Sequence, residues 1–214
     1  MVIVVPVTGT ARCGKTILME QLSNVLLRTT DENFNCSSAF TIDSSAIAKA
    51  FLDGFADSSP RYAFNKAMKT DKYRQALVDI IKALDNFDLR VSNLTDTIMQ
   101  YAMAHPNKSE NHVIFINIRE ITVIAKLVSN LSYLSDDSIR CITLICSRPS
   151  QTEFVNNESD SADFLSQAKK KKLNYAAIEI PEVKGLGKTE NVDVDDARLY
   201  DAFVKETAKK IIGI

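Results

Sequence analysis

The sequence contains no tryptophan, and only two histidines, five prolines and six glycines among 214 residues. His105 and His112 show no zinc-ligand spacing, and Cys13, Cys36, Cys141 and Cys146 form no C-x-x-C pair. That excludes the common zinc-module and dithiol-redox patterns. Free thiols in a reducing cytosol are the expectation. An excess of one charge is also missing: 26 basic residues face 27 acidic ones, for a net charge of −1. A protein that binds nucleic acid by bulk electrostatics is therefore not expected. No apolar run approaches the roughly 20 residues of a membrane span, so no membrane partner is expected. The opening "MVIVVPVTGT" lacks a basic n-region and a small-residue cleavage site, so it does not read as a signal peptide.

The residues present describe a globular chain, 45% hydrophobic and 25% charged. The apolar pattern alternates between two periods. Val2–Val7, Ser38–Asp43, His112–Ile118, Cys141–Ser147 and Tyr175–Ile180 read as short buried strands. Between them, helical spacing marks Lys15 to about Thr29, a short helix from Ser44 or Ser45 to Phe51, and a helix capped by Thr70 or Asp71. Further helices are expected over Leu89–Met103, residues 119–132, a basic stretch through Lys172, and Asp195–Ile212. Strands alternating with helices predict an α/β fold around a five-stranded parallel sheet covered on both faces.

Two of the scarce glycines stand five apart in "GTARCGKT". This satisfies G-x-x-x-x-G-K-[ST] at Gly9, Gly14, Lys15 and Thr16. A buried strand precedes the motif and a helix follows it, as a phosphate-binding loop requires. Glycines let the backbone approach phosphate oxygens, and loop and first-turn N–H groups point inward as anion donors. Gly9, Thr10, Ala11, Arg12, Cys13, Gly14, Lys15 and Thr16 are thus the expected ATP-binding residues. Lys15 is expected on the β- and γ-phosphates and Thr16 on Mg²⁺. Cys13 is either a redox-sensitive thiol at a helix N-terminus or a filler of a variable position.

The guanine-reading Asn-Lys-x-Asp of GTPases is absent: "FNKAM" places Met68 where the aspartate should be. The central strand "VIFIN" ends in Asn117 rather than a Walker B carboxylate, which argues against a motor-type ATPase. A small-molecule kinase fits better. The loop, "DSSAIAKAF", "DKYRQALVDIIKAL", "VIFINIRE", "LICSR" and "NNESDSADFLSQAKKKKLNYAAIEI" follow in a familiar order. In these segments the chain resembles the phage-type deoxynucleoside monophosphate kinases of the P-loop nucleoside/nucleotide kinase superfamily. One departure is Ile121, where the family tends to have proline after Ile-Arg-Glu.

The resemblance implies a P-loop NTPase three-layer α/β/α domain over residues 1–214. It implies a helical acceptor-binding region at about 44–110 and a lid-like segment at about 148–173. The implied reaction moves the γ-phosphoryl of ATP, with Mg²⁺, to a (deoxy)nucleoside monophosphate. Location would be cytoplasmic, the host cytoplasm for a phage protein. Related kinases are often dimers, which makes a mid-chain amphipathic helix the candidate interface of a homodimer.

Further site residues follow from position. Asp43 ends the second strand and is expected to orient the acceptor, to hold Mg²⁺ through water, or to cap the next helix. Tyr73 and Arg74 match a family pair that faces the monophosphate. Arg119 follows the central strand, where open α/β sheets bind ligands, and is expected to grip a phosphate. Glu120 is expected to position Arg119 or cap a helix. Arg148 precedes the lid-like segment and is the candidate for stabilising transition-state charge.

Overall fold

The computed structural model describes residues 1–9, 13–31, 34–50, 52, 71–107, 109–135, 138–148, 164–183 and 193–213. Among them the strands are β1 (Val2–Gly9), β2 (Thr30–Asp31), β3 (Phe34–Asp43), β4 (Asn111–Asn117), β5 (Ile139–Cys141), β6 (Thr143–Ser147) and β7 (Tyr175–Glu179). The helices are α1 (Lys15–Arg28), α2 (Asp71–Asn86), α3 (Leu89–Ala104), α4 (Ile121–Leu134), α5 (Phe164–Lys170) and α6 (Val194–Ile212). Residues 46–50 form one more short helical turn.

The protein is α/β with a mostly parallel sheet, ordered β2-β3-β4-β1-β6-β7. Every residue of β1 is buried, because it is flanked on both edges and covered on both faces. Its alternation assigns side chains to two cores. Ile3, Val5 and Val7 join Leu18, Leu22 and Leu26 of α1 and Tyr200, Val204 and Ile211 of α6. Val2 and Val4 join Val91, Leu94 and Ile98 of α3 and Ile124, Leu127 and Leu131 of α4. Among the described residues, no helix is long and apolar enough to cross a membrane.

Among the described residues the sheet has seven strands, the expected five and two additions. β2 is a two-residue antiparallel partner of β3, with Asp31 opposite Phe34. The other addition comes from Pro6. The carbonyl of Val4 accepts from Ile142 N at 3.0 Å, so even-numbered β1 residues face β5 and β6. Pro6 therefore presents its N–H-less nitrogen to that neighbour. The ladder pairs Val2–Val4 with Ile139–Cys141, then resumes at Val7 with Leu144. The strand expected at Cys141–Ser147 is one extended segment that starts earlier and loses its pairing opposite Pro6.

Helix boundaries differ at two informative places. α4 begins at Ile121 rather than 119, after Glu120 in an extended conformation. α6 begins at Val194, where the Asp193 carboxylate accepts from Asp195 N at 2.8 Å.

Candidate functional site

The loop after β1 begins at Gly9 with φ +123°. A Cβ there would lie 1.8 Å from the Cys146 carbonyl oxygen of β6. Glycine is thus required by conformation and by close approach. Thr10, Ala11 and Arg12 lie outside the described residues. Gly14 has φ +95° and forms the N-cap of α1, accepting from Leu18 N at 3.0 Å. α1 starts with no side-chain cap and no acidic residue in its first turn. An anion would complement such a helix end. Lys15 Nζ lies back over the loop, donating to the Gly9 carbonyl at 3.0 Å and standing 3.7 Å from Cys13 Sγ. Cys13 is fully buried, its Sγ 3.8 Å from the Cys146 carbonyl oxygen. It packs beneath the loop rather than facing solvent.

A cleft of about 1030 Å³ opens beyond the C-terminal ends of β1, β3 and β4. Gly9, Gly14, Lys15 and Thr16 form one part of its lining. Asp43 and Arg119 stand at the strand ends, and Val78, Ile81, Lys82 and Asp85 line it from one face of α2. The folded chain thus brings Lys15, Thr16, Asp43 and Arg119 to one cleft. Thr8 ties two of the strand ends together: its buried hydroxyl donates to the Arg119 carbonyl at 2.8 Å.

Asp43 is engaged on both oxygens. Oδ1 accepts from Ser45 N at 2.9 Å and from Ser45 Oγ at 2.6 Å, and Oδ2 pairs with Lys49. Burial works to raise its pKa, but the Lys49 and Ser45 hydrogen bonds outweigh this and hold it below its ordinary value. Asp43 therefore closes a turn on Ser45 and does not cap the helical turn at 46–50, whose first bond runs from Lys49 N to the Ser45 carbonyl at 2.9 Å. Ser44 is not a cap, because its hydroxyl donates to the Asn117 carbonyl. Among the described residues no cluster of three His, Cys, Asp or Glu is placed to hold a metal ion.

Glu120 does not cap α4 with its side chain. Its carbonyl accepts from Val123 and Ile124 N, both at 3.1 Å, while its carboxylate turns to Arg90. Arg90 is 3% exposed and was not apparent as a site residue in the sequence. Its Nε donates to Asp85 Oδ1 at 2.7 Å, and Nη2 donates to Asp85 Oδ2 at 2.5 Å and Glu120 Oε2 at 2.7 Å. Burial works to lower its pKa, but the two carboxylates raise it above the ordinary arginine value. Arg90, Asp85 and Glu120 all line the cleft. The signal available in sequence was an arginine just past a helix-ending turn, which alone does not distinguish it from a surface residue.

Arg148 follows β6 and does not line the cleft. Its Nε is enclosed, with no hydrogen-bond partner among the described residues, and the same holds for Tyr200 Oη. Burial pushes the Tyr200 pKa up to about 12 against the lowering effect of the Arg148 charge. Arg148 thus lies close enough to Tyr200 of α6 for its charge to act on the phenol. Tyr73 and Arg74 lie in the first turn of α2, and their side chains fall outside the described residues. Most of the lid-like segment, 149–163, is also outside them. Lys169–Lys172 are exposed.

No family model matches the chain, and no curated protein matches it. Among solved structures it is similar to the solution NMR structure of a de novo designed PLOOP2X3_50 fold protein. The identity is 12% over 100% of this chain and 96% of that chain, with a TM-score of 0.36, too low to bear on fold or activity.

Proposed function

We propose that the protein is a P-loop kinase of the three-layer α/β/α class that transfers the γ-phosphoryl of ATP to a deoxynucleoside monophosphate. The observation that carries this reading is the placement of the Gly9–Thr16 motif. It joins the central, fully buried β1 to the uncapped start of α1 and opens onto a cleft that also holds Arg119 and Lys82. One part of the cleft suits a triphosphate, and cations from other elements line the same cleft. Supporting strand order comes from β3, β4, β1, β6 and β7, which run parallel with β1 in the middle.

Residues of the chain would act by positioning and charge neutralisation, since the phosphoryl transition state needs little covalent help. Lys15 would leave the Gly9 carbonyl for the β- and γ-phosphate oxygens. Arg119 would hold the acceptor phosphate in line. Thr16 is exposed in the cleft, and its hydroxyl suits Mg²⁺, which favours oxygen ligands, keeps several waters and takes its remaining contacts from phosphates. When bound, the ion would supply charge neutralisation at the transferring phosphoryl. Asp43 could reach it through water only by loosening its contact with Lys49.

The test is ADP release from ATP–Mg²⁺ with each deoxynucleoside monophosphate, comparing wild type with Lys15→Ala. Acceptor-dependent release that the substitution abolishes is the expected result. Turnover only on a non-nucleotide phosphate ester would overturn the acceptor assignment. ATP binding without any acceptor-dependent release would favour a non-catalytic nucleotide-binding protein. The engagement of Asp43 by Lys49 and Ser45 is the observation on that side.

A further inference from the structure

Among the described residues, one edge of Arg90 has no partner. A guanidinium carries five N–H bonds. Three of them, on Nε and Nη2, go to Asp85 and Glu120. Among the described residues nothing accepts from Nη1, and Nη1 is not one of the enclosed polar atoms. Arg90 is almost wholly buried and lines the cleft, so the cleft is where Nη1 points. Two carboxylates lock the group in orientation, and both its neighbours belong to the same wall. Beside it, Glu120 is 40% exposed with Oε2 held by Arg90, and Oε1 has no partner among the described residues. The wall therefore offers one fixed donor and one fixed acceptor side by side.

The chemistry of this pair separates two ligand groups. One positive charge is set against two negative ones, so a phosphate dianion brought to Nη1 would meet two carboxylates at close range. A neutral group with adjacent acceptor and donor atoms meets no such repulsion. Ile81 and Val78 lie one and two turns from Asp85 along the same face of α2 and line the same cleft. An apolar surface next to a few fixed polar groups is what a flat heterocycle requires. The phosphate-suited groups, Lys15, Thr16 and Arg119, belong to the loop and strand ends instead.

We propose that Arg90 and Glu120 form the specificity-determining element of the acceptor site, reading the hydrogen-bonding edge of the acceptor's base while the loop and Arg119 handle phosphates. This rests on the kinase reading given above. Nη1 donates to an acceptor atom on the base edge, and Glu120 Oε1 accepts from a neighbouring N–H. Asp85 contacts no ligand; it positions Arg90.

The experiment measures kcat/KM of the full chain for the four common deoxynucleoside monophosphates, with KM for ATP alongside. Wild type is compared with Glu120→Gln, Arg90→Lys and Asp85→Asn. Glu120→Gln retains size and can still accept from Arg90, so it keeps the fold testable if the arginine variant does not fold. An amide in place of the carboxylate puts a donor where an acceptor stood. The expected result is a change in the ranking of the four bases by ~10-fold to 100-fold, the scale of one directed base-edge contact, with KM for ATP unchanged. An equal loss for all four acceptors, with a lowered melting temperature, would overturn the proposal and leave Arg90 as a structural brace. If wild type binds ATP but turns over no monophosphate, the kinase reading fails separately. Equilibrium binding of the four deoxynucleosides then decides: base preference that shifts in Glu120→Gln supports the element, and its absence overturns it.

Discussion

Lys15 Nζ donates to the carbonyl of Gly9 at 3.0 Å, so the lysine assigned to phosphate neutralises the mouth of its own loop. The contact is local and exchangeable. A carbonyl oxygen is a weaker partner for an ammonium than a phosphate oxygen, because the second hydrogen bond is charge-assisted on both sides. Nucleotide binding is therefore expected to draw Lys15 off Gly9 without moving β1. Lys15→Ala should lower kcat/KM for phosphoryl transfer by about 100-fold or more, on the scale of removing one transition-state donor. Its melting temperature should stay near that of wild type. Steady-state ADP release and calorimetry check the two halves, and a folded Lys15→Ala protein with full activity would contradict the assignment.

The two glycines of the loop should not tolerate alanine equally. At Gly9 a Cβ would clash with the Cys146 carbonyl at 1.8 Å and also face a φ of +123°. At Gly14 the nearest atom to a Cβ is Ile180 Cγ2 at 4.0 Å, so only the left-handed conformation opposes the change. Gly14→Ala should cost about 1–2 kcal/mol, and Gly9→Ala distinctly more, since backbone of two central strands must separate. Urea unfolding of both variants gives the order; equal losses would contradict the close approach of β1 and β6.

Removing Arg90 leaves two partly exposed carboxylates, Asp85 and Glu120, without their shared partner. Arg90→Met should destabilise by about 1–3 kcal/mol, because Asp85 and Glu120 lose a charged hydrogen-bond partner while solvent screens part of their repulsion. Adding Asp85→Asn to Arg90→Met should restore part of that loss, since the two residues share one network. A double-mutant cycle from chemical denaturation measures the coupling. Strict additivity would mean that the contacts carry little energy.

Acid should weaken the end of the sheet opposite the cleft through His112. This ring is 2% exposed, with Nδ1 2.9 Å from Ser38 Oγ and 3.2 Å from Tyr101 Oη, and its centroid is 4.7 Å from that of His105. Burial is the main cause that lowers its pKa from 6.5; His105 and the amino terminus add to it, and Glu110 opposes them. The native state then takes up this proton less readily than the unfolded chain. Its contribution to stability is full above about 6.5 and is lost as pH falls through the lower native value. Asp43 acts in a separate window, below its ordinary 3.8. Unfolding free energies measured between pH 7 and pH 5 should fall for wild type and flatten in His112→Asn. An unchanged slope would assign the pH dependence elsewhere.

Much of the frame was legible in the residues. β1 announces itself as an unbroken apolar run, and Gly9, Gly14, Lys15 and Thr16 stand in a spacing with a direct geometric meaning. What the run did not reveal was the consequence of Pro6, which removes a donor from one edge only and divides the neighbouring strand. That depends on which neighbour the residue faces. Ser44 and Glu120 both read as helix caps, yet Ser44 bonds across to Asn117 and Glu120 to Arg90. Short polar side chains near a helix start have several partners within reach, and packing chooses among them.

The sequence by itself determined the alternation of strands and helices, the position of the glycine loop and the types of charged residue at the strand ends. These follow from short-range periodicity and backbone conformation, which neighbouring residues set. Only the tertiary structure decided that Arg90 meets Glu120, that Asp43 is engaged by Lys49, that Arg148 stands beside Tyr200, and that the two histidines share one corner. The strength of a charge pair depends on burial and on distances between segments far apart in the chain, and neither is defined until the sheet has assembled.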